Sequence, residues 1–166
     1  MQDAVNVNNV MNNNVIDGTE GWSGPPERLR RWTGFLLAWV AATGGEHYAR
    51  ALASVGLKAH HLGVLVLLSD GPMVQARLSE RLGVFKPAMV ALVNDLEAMG
   101  LVRRQPHATD RRAVEVHLLP AGERRIAQAE EVSRRASDEF FAPLTAAQRR
   151  TFHKLLALLA DQEAHE

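Results

Sequence analysis

Residues 101–119 read LVRRQPHATDRRAVEVHLL, with Arg103 and Arg104 on one side of a short segment holding His107, Thr109 and Asp110, and Arg111 and Arg112 on the other. A guanidinium is permanently charged and offers a planar fork of donors that fits phosphate and carboxylate oxygens. So dense a cluster suits a polyanion, or it decorates a solvated hairpin. Hydrolytic chemistry has no counterpart here. There is no Gly-framed nucleophilic serine, no metal-binding His-Glu motif and no glycine-rich phosphate loop, so the chain is not expected to be an enzyme. His60 and His61, with His47 nearby, raise the question of a metal site. Adjacent helical residues diverge by about 100 degrees and rarely share one ion, so neither a metal nor any other cofactor is expected.

A chain of 166 residues can build the core of one ordinary domain but hardly of two independent ones. Its 19 basic residues are balanced by 19 acidic ones, so any attraction to a polyanion must be local. The lack of cysteine removes disulfides, thiolate metal ligands and thiol nucleophiles, and it fits a reducing compartment. Apolar runs near residues 35–42 and 62–68 fall short of the roughly 20 residues that a membrane span needs. No basic residue precedes Arg28 to start a secretory signal. The expectation is a cytoplasmic chain with no membrane partner.

The arginine cluster needs elements to aim it. Residues 1–26 are Asn-rich, aperiodic and closed by Gly and Pro, which predicts a disordered tail before a single domain over 27–166. From 27 to about 54, Leu29, Trp32, Phe35, Leu36, Trp39, Val40 and Thr43 recur at helical spacing, with a kink or break expected near Gly44 and Gly45. A second helix is expected over 58–68, stopped by Asp70, Gly71 and Pro72. Residues 73–82 read as a short helix with Val74, Leu78 and Leu82 on one face, ended by Gly83. Pro87 then suits a first helical turn, and Met89, Leu92, Val93, Leu96 and Met99 mark a buried stripe running to Gly100. Phe85 is expected to staple the turn; exposure would favour a base contact instead.

Beyond Gly100 the apolar period changes to about 2, predicting strands over 101–104 and 113–118 with a turn between them. A long helix starts at Pro120 and carries Ile126, Ala129, Val132, Ala136 and Phe140. The last helix opens with Thr145 as N-cap and Gln148 three residues on, and is expected to bury Phe152, Leu155, Leu156 and Leu159. The fold class is therefore mainly α with a small β-hairpin wing, a winged helix-turn-helix over 57–120 between N- and C-terminal helices at 27–56 and 121–166. Such folds bind DNA, and they also serve purely as protein-interaction modules.

Several residues carry a more specific resemblance. LSERLGVFKPAMVALVNDLEAMGLVRR, followed by DRRAVEVHLLPAGE, resembles the MarR family of bacterial transcriptional regulators, with its recognition helix ending LE-x-x-GLV-x-R and its wing D-x-R. Gly56 and Leu57, and the LT-x-x-Q pattern at 144–148, also match, so the resemblance spans 27 to about 162. It implies a homodimer interleaved through its terminal helices, bound at the nucleoid to palindromic double-stranded DNA, and most commonly a repressor. It also implies that Arg112 enters the minor groove, with Asp110 positioning it and Arg111 facing phosphate. A narrow minor groove concentrates negative potential, which favours an inserted guanidinium.

The residues themselves divide the rest of the work. Arg103 and Arg104 alternate on a strand, so one is expected on phosphate and the other on an acid such as Asp110. Lys86, Pro87, Ala88, Val90, Ala91 and Asn94 lie on the outward face of the recognition helix; Gln75, His107 and Thr109 complete the DNA-facing set. Ala88, Val90 and Ala91 suit thymine methyl groups and Asn94 suits adenine, while Asp95 would repel phosphate. Members of the family commonly respond to small aromatic or lipophilic effectors between the dimer helices and the DNA-binding lobe. Residues that could face such a cleft are Trp39, His47, Tyr48, His61, Val66 and His117. A DNA-binding regulator without ligand response, and a winged-helix dimer used for protein contacts, remain the alternatives.

Overall fold

The computed structural model describes residues 24–106 and 114–161. The order is α1 (Thr33–Ala53), α2 (Ala59–Ser69), β1 (Met73–Val74), α3 (Gln75–Leu82), α4 (Lys86–Ala98), β2 (Val102–Pro106), β3 (Val114–Leu118), α5 (Pro120–Phe140) and α6 (Ala146–Ala160). Mainly helical with one small antiparallel sheet, it is the winged helix-turn-helix expected from the sequence. No helix among the described residues is long and apolar enough to cross a membrane.

Beyond a shift of the wing strands, in which β2 runs on to Pro106 in the expected turn, three differences from the sequence reading concern whole elements. Helix α1 begins at Thr33, because residues 27–31 form turns after Pro25 and Pro26. It runs unbroken through Gly44 and Gly45. The reason for Gly44 is packing: a Cβ there would sit 3.2 Å from the Phe140 ring of α5. The third difference is at Met73 and Val74, which form a strand and not the first turn of a helix. They pair antiparallel with Val116 and Glu115, extending the hairpin to a sheet of order β1-β3-β2. Two residues are too few to display a period, so this strand is invisible to pattern reading.

Below the sheet, Leu65 and Leu68 of α2, Leu78 of α3, Met89, Val93 and Leu96 of α4, and Val102 and Val116 of the wing strands form one buried cluster. Leu52 of α1 and Ala129 of α5 join it and anchor the lobe to the long helices. Each buried aliphatic side chain is worth about 1.5–3 kcal/mol of transfer free energy, so this cluster fixes the attitude of α4. Met99, expected in the same stripe, lies past the helix end and is 36% exposed.

Helix α6 is the exception to this packing. Its start is the expected capping box, with the Gln148 N–H donating to Thr145 Oγ1 (3.3 Å) and the Thr145 N–H to Gln148 Oε1 (2.8 Å). The Arg149 guanidinium ties it to Asp138 of α5 at 3.3 Å. Yet none of its residues is buried. Leu155 and Leu159 are each 54% exposed, Leu158 64% and Leu156 37%, so the stripe expected to be buried is not covered within one chain. Only Phe152 reaches an aromatic neighbour, Phe141, at 5.7 Å between ring centres.

Candidate nucleic-acid interface

Helices α3 and α4 are joined through Gly83, whose φ of 60° closes α3 in the left-handed conformation that glycine adopts without strain. Pro87 lies in the first turn of α4 as expected. With Met89, Val93 and Leu96 buried beneath, Lys86, Pro87, Ala88, Val90, Ala91 and Asn94 are all exposed on the outer face. Phe85 precedes them at the N-cap and is 78% exposed, so it does not staple the turn.

Asp95 proves less hostile to phosphate than its sequence position suggests. Its carboxylate turns back toward the start of α2, with Oδ2 3.4 Å from His61 Nε2 and 4.0 Å from Lys58 Nζ. His61 is buried, and its Nδ1 accepts the Lys58 backbone N–H at 3.3 Å, leaving the proton of the neutral ring on Nε2. That Nε2 couples electrostatically to Asp95 but lacks hydrogen-bond alignment with any partner. Burial lowers the His61 pKa from its ordinary value, opposed by Asp95.

Arg104 explains why helix and wing come as one motif. Its guanidinium donates to Glu97 Oε2 (2.7 Å), Gln75 Oε1 (3.2 Å) and the Val90 carbonyl (3.3 Å), while its backbone N–H donates to Glu97 Oε1 (2.9 Å). One residue of β2 thus straps α3 and α4 to the root of the wing. These bonds, the backbone one first, hold the Glu97 carboxyl below its ordinary pKa. Glu97 and Arg104 are the two charged letters of LE-x-x-GLV-x-R. Among the described residues the acid that pairs with Arg104 is therefore Glu97, and Gln75 is engaged in the same strap. No sequence signal short of that motif exposes the pairing.

Arg103 points the other way and is exposed. Beside it Gln105, with its amide oxygen turned to Arg103, accepts from that guanidinium at 3.2 Å, and its amide nitrogen lies 3.2 Å from His117 Nε2. His117 Nε2 also lies 2.9 Å from Glu115. His107, Thr109, Asp110, Arg111 and Arg112 lie outside the described residues.

The effector candidates are not gathered at one place. His47 and Tyr48 line an apolar groove of about 480 Å³ bounded by α1, α5 and α6, with Val40, Phe140, Phe152 and Leu156 among its walls. Trp39 stands beside Phe35 outside it, at 6.1 Å between ring centres. His61 is enclosed against α4, Val66 is exposed on α2 and His117 sits on β3. Periodicity assigns a helix face but cannot say which of several faces share a cavity.

Comparison with known proteins matches this geometry. A family model described as MarR family covers residues 55–113. A putative transcriptional regulatory protein for the hcr operon of Thauera aromatica is 30% identical over 133 residues, spanning 79% of this chain and 80% of that protein. An HTH-type transcriptional repressor of Mycobacterium tuberculosis, Rv2887, is 32% identical over 127 residues, 76% of this chain and 91% of the repressor. Its structure in complex with DNA superposes with a TM-score of 0.65 over 76% of this chain and 96% of that one, at 30% identity. The same protein is solved with p-aminosalicylic acid, with a TM-score of 0.63 at 30% identity over 77% of this chain and 98% of that one. Apo MarR of E. coli shares the fold, with a TM-score of 0.69 at 23% identity, covering 76% of this chain and 95% of that one.

Proposed function

The chain belongs to the MarR family of transcriptional regulators, and from that premise we propose that it is a homodimeric, sequence-specific repressor that binds double-stranded operator DNA. The observation that carries the reading is the Arg104 strap, which locks the outward face of α4 and the wing root into one rigid reader. In this reading α4 lies in the major groove, Lys86 and Arg103 contact phosphate, and Asn94 reads a base edge. Arg112, supported by Asp110, is assigned to the minor groove and Arg111 to the backbone. Gln75 and Arg104 act as positioning residues.

Two features extend the proposal. Leu155, Leu158 and Leu159 leave an apolar face of α6 in water, a face that a second copy of the chain would cover. The groove beside His47 and Tyr48 has room for a small aromatic molecule. An effector seated there would relieve repression by favouring a dimer whose recognition helices no longer match successive major grooves.

The test is binding of the full chain to duplex fragments from its own upstream region, titrated against salt. Log K is expected to fall linearly with log salt, with a slope of about −0.9 per phosphate neutralised. Absence of salt-dependent duplex binding would leave the winged helix as a protein-interaction module. The effector component is tested separately with p-aminosalicylate, which should raise the melting temperature and weaken operator binding; no change in either removes it.

A further inference from the structure

Phe85 is a large apolar side chain left in solvent at the head of α4. It occupies the N-cap of α4 in an extended conformation (φ −59°, ψ 136°) and makes no side-chain cap bond. Helix N-caps favour Ser, Thr, Asp and Asn, whose oxygens accept first-turn N–H groups, and a phenyl ring cannot do this. The ring is also 78% exposed, more than any other large apolar side chain recorded as exposed among the described residues. The residue thus forgoes a helix cap and does not bury its own surface. Single exposed apolar residues are commonplace; what distinguishes Phe85 is its place. It stands at the leading end of the helix proposed to enter the major groove, where base contacts concentrate. Lys86 follows it, and the exposed Ala88, Val90 and Ala91 continue an apolar reading face.

We propose that Phe85 is a specificity-determining residue whose ring packs on the C5-methyl group of a thymine in each operator half-site. The inference rests on the DNA-binding reading above. In the major groove that methyl group is the apolar mark of thymine, and apolar side chains recognise it by contact. Hydrogen-bond donors are sparse on this face, so methyl contacts there carry discrimination that basic residues would otherwise supply.

The experiment uses a duplex selected from a random pool by the full-length protein. Each thymine is replaced in turn by deoxyuridine, which removes only the methyl group and leaves pairing and phosphates intact. Burial of one methyl-sized group is worth about 4-fold in affinity, so the wild-type chain should lose about 15-fold when the paired thymines of both half-sites are replaced. Phe85→Ser should bind the thymine duplex correspondingly less tightly and should no longer distinguish thymine from uracil at that position. Serine supplies the missing cap oxygen, so its melting temperature should hold or rise, which separates the loss from unfolding. Phe85→Asn, also a capping residue, gives a second variant with the same expected loss. Retention of the wild-type thymine-to-uracil ratio at every position by both variants overturns the inference alone. Failure of the wild-type chain to enrich any duplex removes the DNA-binding reading and the inference together.

Discussion

The lobe built from α2 to β3 and the outer helix α6 follow opposite rules. In the lobe, Leu78, Met89, Val93 and Leu96 are buried at expected positions, and a single chain closes its own core. In α6 a stripe of the same composition meets water, although the helix is well capped and joined to α5 through Arg149 and Asp138. Composition therefore signals that a face will be covered, but not by which chain. In the function proposed above, the difference also separates two tasks: the lobe holds a reading surface rigidly, whereas the long helices leave apolar surface available for association.

The largest effect should come from breaking that division on the α6 side. Leu155 and Leu159 stand one helical turn apart and each is 54% exposed, so Leu155→Glu with Leu159→Glu removes apolar surface without leaving a cavity in the monomer. The double variant should stay helical by circular dichroism, sediment as a monomer, and lose about 100-fold or more in operator affinity, since joining two reading heads multiplies affinity by roughly 10² to 10⁴. A dimer of unchanged stability would show that this face is not the one a second copy covers.

A smaller effect tests whether the lobe is a tightly closed unit. Gly122, in the first turn of α5, lies under the hairpin where a Cβ would come 2.5 Å from both the Leu101 carbonyl oxygen and Leu118 Cδ1. Leu101 O already accepts the Leu119 N–H at 3.0 Å, so the backbone there has little freedom to retreat. Gly122→Ala should destabilise by about 1–3 kcal/mol through overpacking, lowering the denaturant midpoint at constant m-value. By contrast Gly45→Ala, which meets nothing within 4 Å in the single chain, should be neutral or slightly stabilising by virtue of helix propensity. Equal responses at the two sites would contradict the contrast between a closed lobe and open outer helices.

The same contrast sets what was legible in the sequence. Long periodic elements, the glycine turn at Gly83, the Pro87 helix start and the Thr145–Gln148 box follow from local preferences that the structure keeps. The outward residues of α4 followed too, because a buried stripe fixes its opposite face. Strand β1 was missed because its pairing with β3 is non-local and only two residues long. The Arg104–Glu97 contact was missed because it joins a strand to a helix end, and charge type alone does not choose among nearby acids. Phe85 departs from the expected staple because a turn residue can face inward or outward with the same backbone.

The smallest expected effect probes the seam between α2 and the reading helix. His61 is buried, its Nδ1 accepts the Lys58 N–H, and burial lowers its pKa below the ordinary 6.5 despite the neighbouring Asp95. The unfolded chain therefore takes up a proton at a higher pH than the folded chain does. Stability from this site is fully present above about pH 6.5 and declines as pH falls through the unfolded value toward the lowered folded one. His61→Gln keeps an acceptor able to meet the Lys58 N–H and removes the titration. Urea midpoints at pH 7.5 and pH 5 should then differ more for the wild-type chain than for the variant, the other histidines contributing to both. Parallel pH profiles would mean that His61 is as easily protonated in the fold as in water, and the seam against α4 would be open to solvent.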